Sequence, residues 1–282
     1  MAESIVKEIQ AKSILVPSKL PDADYVINPY VGCAFGCSYC YASFMGRFVN
    51  KKVEDWGNYV FAKVNLPEVL DKELRNFKHK DKSVFLSSVT DPYQGVEQKY
   101  RLTLSSLELL LKHTWQGTVG ILTKSPLVTR DIDLFKQFPN IEVGLTVTST
   151  DDSVSRFFEQ AAPPASLRLK ALKTLHDAGI PTYAFVGPLL PHFSATPHKL
   201  KELFDVLAGT GVRQLYIEHI NLSPYIRKRL FAHIKGADRE ILKTFYQAQT
   251  DRYRKELDFV ISDMLKRYSF TLRGHDVLYH NE

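Results

Sequence analysis

The chain has 282 residues, 44% hydrophobic and 24% charged, the balance of a soluble globular protein with room for one large α/β domain or two small ones. No apolar run reaches the length of a membrane span and the charged first residues lack the apolar core of a secretory signal, so a cytoplasmic protein is expected. Lys+Arg 37 against Asp+Glu 31 leaves a net charge of +6, which permits an anionic partner without demanding one.

In chain order, residues 1–24 read as a lead-in in which Ile14, Leu15 and Val16 pack on the core. Residues 25–30 (YVINPY) read as a first strand that runs straight into a cysteine-bearing loop. Residues 56–64 and the helical pattern over 67–77 complete a first β–α unit. Further strands are predicted at 83–88, 118–123, 142–148, 181–186 and 215–221. Between them run helices marked by Leu104, Leu107, Leu110 and Leu111, by the short stretch 130–135, and by Leu169, Leu172 and Leu175 before the stop at Gly179. Thr196-Pro197 starts another, as an N-cap followed by proline at the first helical position. Residues 238–268 form a long helical region. The reading is α/β: a lead-in over 1–24, a core over 25–225 and a C-terminal helical cap over 226–282. Strands alternating with helices argue a parallel sheet of right-handed β–α–β units. An open doubly wound sheet and a curled partial barrel share that pattern.

The loop holds all 3 cysteines of the chain, Cys33, Cys37 and Cys40, spaced C-x3-C-x2-C. Three thiolates without a fourth leave one corner of a metal site for a non-protein ligand. A structural metal normally has four protein ligands, whereas a [4Fe–4S] cluster with one open iron suits three. A zinc site would need a fourth ligand, and the nearest histidine in sequence is His79. A redox pair at Cys37 and Cys40 would leave Cys33 unexplained.

In parallel β/α folds the working residues collect at the carboxyl ends of the strands. After the cysteine loop these are Ser88, Thr90 and Asp91, then Lys124 and Ser125, then Thr146, Thr148 and Ser149. The last two strands deliver Gly187 and Pro188, and Glu218, His219 and Asn221. Each has an ordinary alternative: Asp91-Pro92 also starts turns, and Lys124 also reads as a solvated lysine.

The cysteine spacing resembles the signature of the radical S-adenosylmethionine (SAM) superfamily. That resemblance implies a partial (β/α)6 TIM-like barrel, a [4Fe–4S] cluster on the three cysteines and SAM on the fourth iron. It puts Tyr39 beside the adenine. SAM needs acceptors for its ammonium and ribose and a cation for its carboxylate. Ser88, Thr90 or Asp91, Lys124, Thr146 or Thr148, and Gly187 are the candidates. Within the superfamily the chain is similar to the spore photoproduct lyase-like group. The motifs are Cys40-Tyr41-Ala42, Thr90-Asp91, Thr123-Lys124, Phe158-Glu159 with Arg168, Ala178-Gly179-Ile180-Pro181 and Val186-Gly187-Pro188. By that likeness Thr90 and Lys124 contact the SAM amino and carboxylate groups, and Arg168 lies near the cofactor or bridges to Glu159. Asn28-Pro29-Tyr30 and Asp91-Pro92-Tyr93-Gln94 mark a branch distinct from the lyase itself.

One departure matters. The lyase uses a further cysteine as hydrogen donor, and Val89 stands at that position. Either a tyrosine donates, Tyr93 being the candidate, or the substrate differs. The implied chemistry is reductive cleavage of SAM to a 5′-deoxyadenosyl radical that takes hydrogen from a substrate. An electron donor such as flavodoxin or ferredoxin is required. The substrate is expected to be a nucleic-acid or nucleotide lesion, with Arg213 and the run Arg227, Lys228, Arg229, His233 and Lys235 as a basic neighbourhood. The alternatives are a small metabolite, or an iron–sulfur protein without turnover.

Overall fold

The computed structural model describes residues 4–280 except 235, 237 and 238. Lys235 of the basic run and Asp238 of the expected long helix lie outside the described residues. The strands are β1 (Ile5–Ile9), β2 (Leu15–Pro17), β3 (Tyr25–Ile27), β4 (Tyr30–Val31), β5 (Tyr59–Lys63), β6 (Val84–Leu86), β7 (Val119–Thr123), β8 (Ile141–Thr146), β9 (Thr182–Leu189), β10 (Gln214–His219) and β11 (Thr271–Leu272). Eight of them form one sheet in the order β11-β10-β9-β8-β7-β6-β3-β2. All neighbours in it are parallel except β2 against β3.

From β3 to β10 the spatial order follows the chain, as right-handed crossovers through helices dictate. The order is linear with β2 and β11 at its edges, so the barrel is partial. The six predicted parallel strands are all present.

Alternation along each strand divides the sheet into two faces. The outward row, including Leu86, Ile121, Val143, Val186 and Ile217, joins Leu70, Leu107, Leu172 and Leu203 of the surrounding helices in the main core. Each fully buried leucine there contributes roughly 1.5–3 kcal/mol. The other row carries Phe85, Gly120, Glu142, Gly144, Tyr183, Phe185, Tyr216 and Glu218. The Phe85 ring lies over Gly120 and the Tyr183 ring over Gly144, where any Cβ would come within 2.9 and 2.3 Å of them. Aromatic rings therefore fill the inner face that no helix covers.

Three local expectations change. The 25–30 strand is broken at Asn28-Pro29: β3 stays in the large sheet, and β4 leaves it to pair with β5. The strand within 56–64 is therefore not part of the barrel; with β1 and β4 it makes a separate three-stranded sheet. The lead-in supplies β1 and β2, with Ile14 and Leu15 buried and Val16 exposed. The C-terminal region is two helices, Arg239–Gln247 and Asp251–Tyr268, the second capped by the Thr250 hydroxyl accepting from the Tyr253 amide at 3.4 Å. Among the described residues no helix is long and apolar enough to cross a membrane.

Candidate active site at the cysteine loop

The loop leaves β4 at Gly32, where only glycine fits: φ is +87°, and any Cβ would come within 2.4 Å of the Tyr59 carbonyl oxygen. Gly36, also at positive φ, sits against the Cα of Gly57. Between and beyond them the backbone folds on itself, Gly36 N to Cys33 O at 3.3 Å and Cys40 N to Cys37 O at 3.1 Å. Cys33 and Cys37 are buried and Cys40 is half-buried.

The loop is held by three side chains, two from the segment after β6 and one from a C-terminal helix. Gln94, fully buried, accepts from the Ala34 amide at 2.9 Å and donates to the Gly32 carbonyl at 3.2 Å and to Thr90 Oγ1 at 2.9 Å. Thr90 in turn donates to the Gly32 carbonyl at 2.5 Å. Arg229 donates from the helix Pro224–His233 to the carbonyls of Cys37 and Ser38 at 3.2 and 3.3 Å.

Behind the loop lies a buried ion pair. The Tyr39 hydroxyl donates to Glu159 Oε1, which also accepts from Thr148 Oγ1 at 3.0 Å, while Arg168 pairs with Glu159 Oε2. Arg168 spends its other nitrogens on the carbonyls of Pro163 (2.7 Å) and Thr146 (3.3 Å). Burial pushes Glu159 up, but Arg168 and Lys124 outweigh it and hold the carboxyl below its ordinary range.

Lys124 stands differently. Its ammonium sits 5.8 Å from the centroid of the Tyr39 ring, and among the described residues it has no salt bridge or side-chain hydrogen bond of its own. Burial lowers its affinity for a proton, yet the Cys37 and Glu159 charges prevail and keep it above the usual lysine range. The same backbone position is fixed by Asp91, which accepts from Thr123 Oγ1 at 2.6 Å, the Lys124 amide at 2.8 Å and the Tyr93 amide at 2.9 Å. Loop, ion pair and unspent cation thus share one end of the sheet.

The family model for the Radical SAM superfamily matches residues 27–207. The chain belongs to the radical SAM superfamily. An uncharacterized protein of Methanocaldococcus jannaschii is 41% identical over 65% of this chain and 67% of its own length. An uncharacterized protein of the Acidianus two-tailed virus is 26% identical over 89% of this chain and 81% of its own. Among solved structures, spore photoproduct lyase complexed with a dinucleoside spore photoproduct superposes with a TM-score of 0.71 at 17% identity, over 97% of this chain and 81% of that one. Streptococcus suis SuiB bound to S-adenosylmethionine gives 0.55 at 13% identity, over 88% and 50%. The fold is that of radical SAM enzymes, and the protein is one.

The superfamily implies SAM and an iron–sulfur cluster, and the cysteine loop of this radical SAM enzyme fits such a group. Its three thiols stand on one glycine-freed loop in which several backbone carbonyls and amides already have partners. Among the described residues no three His, Cys, Asp or Glu side chains are arranged to hold a single metal ion. Burial raises the Cys33 thiol well above its usual range and Cys37 to about 12, so loading must release protons.

The other predicted positions fall into two groups. Tyr39, Thr90, Asp91, Lys124, Thr146, Thr148 and Arg168 surround the loop, and most of them grip one another or its backbone. Ser88 accepts weakly from Asn28 at 3.5 Å, and Gly187 is overlain by the Glu218 Cβ. Tyr93 is fully buried in the main core, its hydroxyl donated to Asp131 at 2.9 Å within the Glu97–Arg130–Asp131 network. Arg213 lies just before the start of β10, at the opposite end of the strand from the loop, so it does not join the 227–229 run. Sequence reading passed over Gln94 and Tyr41. Each is legible only as part of a motif. The second is exposed, and its hydroxyl donates to the Ser88 carbonyl, next to Val89.

Proposed function

We propose that Cys33, Cys37 and Cys40 hold a [4Fe–4S] cluster with one iron left for SAM. When bound, the cluster and SAM supply a 5′-deoxyadenosyl radical that takes hydrogen from the substrate. The observation that carries the reading is the pairing of a three-thiol loop with Lys124, whose ammonium faces the Tyr39 ring and among the described residues makes no salt bridge or side-chain hydrogen bond. Lys124 pairs with the SAM carboxylate and the Tyr39 ring backs the adenine. Thr90 and Asp91 fix the loop and Lys124, and Glu159 and Arg168 fix Tyr39. Ser88, Thr146, Thr148 and Gly187 shape the surrounding wall.

For the substrate we infer a nucleic-acid or nucleotide lesion, supported by the fold shared with spore photoproduct lyase. The hydrogen donor to its radical is a tyrosine; Tyr41, exposed and bonded to the Ser88 carbonyl beside Val89, suits this better than Tyr93, which is fully buried in the core. One observation favours the second reading, a small metabolite: Arg229 is committed to loop carbonyls, Lys228 to Glu54 at 2.7 Å, and Arg213 sits at the far end. An electron donor such as flavodoxin or ferredoxin completes the system.

The test is anaerobic reconstitution with iron, sulfide, dithionite and SAM. Wild type is expected to bind close to four irons per chain and to form 5′-deoxyadenosine, and Cys37→Ala to lose both. A zinc-loaded protein that forms no 5′-deoxyadenosine would refute the assignment. Salt-dependent binding of lesion-bearing DNA separates the two substrates.

A further inference from the structure

We propose that the face built from residues 44–55 and the helix Pro224–His233 is the docking surface for a small acidic one-electron carrier protein. This rests on reading the cysteine loop as a cluster site. The face roofs that loop. Tyr225 donates to the Tyr41 carbonyl at 3.0 Å, Lys228 meets Glu54 at 2.7 Å, and Arg229 passes inward to the carbonyls of Cys37 and Ser38. A partner seated here meets Arg229, whose guanidinium reaches the carbonyls of Cys37 and Ser38 in the cysteine loop.

Its chemistry selects the partner. Arg47, Lys51, Lys52 and Lys228 stand against Glu54 and Asp55, and these two acids are already engaged by Lys228 and by the Lys52 amide at 2.8 Å. Among them projects Phe48, 63% exposed. The Arg47 guanidinium lies 4.7 Å from its ring centroid and 5.2 Å from that of Phe44. An exposed aromatic with an arginine already stacked on it, ringed by cations, has the composition of an interface anchor, and part of the ordering cost is met before binding. Complementarity then calls for a carboxylate-rich surface and a salt-sensitive association rate. Nucleic acid fits less well, because the cations ring one exposed aromatic with Glu54 and Asp55 among them and form no continuous basic track, and Arg213 lies at the far end of the sheet. The step itself is plain electron transfer. The carrier is oxidised by one electron, the cluster is reduced by one, and no bond forms or breaks.

The test uses the reconstituted full chain and the variant Arg47→Glu/Lys52→Glu/Lys228→Glu, all three side chains being exposed. Reduced flavodoxin and an acidic ferredoxin are titrated at low and at physiological salt, and 5′-deoxyadenosine is measured with each carrier and with dithionite, which needs no docking. Wild type is expected to bind a carrier with an affinity that falls as salt rises. The triple variant should bind at least tenfold more weakly and lose carrier-driven product, with dithionite-driven product unchanged. Binding of neither carrier, unchanged binding by the variant, or retention of duplex DNA by this face in place of both carriers overturns the proposal. Absence of product from wild type with dithionite would instead fault the cluster reading, and the binding titration would still decide the docking.

Discussion

The two ends of the sheet are built on opposite electrostatic plans. At the amino ends Arg273 lies between the Tyr183 and Tyr216 rings, 5.0 Å from each centroid, and pairs with Glu142 at 2.7 Å. Tyr216 donates to Asp22 at 2.6 Å and Tyr183 to the Ile121 carbonyl at 3.0 Å. Arg273, Glu142 and Asp22 in that layer each have a partner, although a cleft of about 340 Å³ opens beside it. At the carboxyl ends the backbone is just as firmly held, by Gln94, Asp91 and Glu159, but Lys124 is left over and three thiols stand together. An opening is thus not by itself a site. A site is recognised by groups whose partners the fold does not supply, and the saturated end is a plug.

Mutations at the two ends should separate accordingly. The largest effect is expected from Arg168→Met, which leaves Glu159 buried and uncompensated: a loss of roughly 3–5 kcal/mol of stability, read by urea denaturation. A loss below about 1 kcal/mol would mean that the pair is not desolvated. Next is a pH effect. His219 is fully buried, and neither ring nitrogen has a hydrogen-bond partner of good geometry. Burial, then the nearby Arg254 charge, lowers its pKa from 6.5 to about 4. The unfolded chain therefore takes up a proton that the folded one refuses. Stability is full above about pH 6.5 and falls as the pH drops from there toward 4, by up to about 3 kcal/mol. His219→Phe should flatten that slope while leaving SAM binding intact.

Lys124→Met should weaken SAM binding to the reconstituted enzyme by roughly 10- to 100-fold, the worth of one charged hydrogen bond, with little change in melting temperature. Arg273→Met is its mirror and the smallest effect. It should cost about 1–2 kcal/mol through lost stacking and pairing, and SAM affinity measured by calorimetry should stay at the wild-type value. Were the amino-end change to alter SAM binding, the division between a plug and a site would collapse.

Much of this was open to reading from the chain alone. The parallel strands follow from apolar runs separated by leucine-spaced helices, and the cysteine loop from a cluster of thiols that nothing structural requires. Both depend on local spacing, which sequence records directly. The break at Asn28-Pro29, the separate sheet of β1, β4 and β5, and the division of the last helices at Thr250 were not legible. Strand pairing is chosen among distant partners, and β5 is as apolar as any barrel strand.

Only the tertiary structure decided which polar residues are spent. Asp91, Arg168 and Lys124 look alike in sequence, the first and last just past strands and Arg168 in a helix, each an ordinary charged residue. Folding surrounds the first two with protein partners and leaves the third facing a ring. That difference is set by residues tens of positions away for Asp91, which Thr123 meets, and across a helix start for Arg168, which Glu159 meets, because hydrogen bonds are satisfied in space and not along the chain.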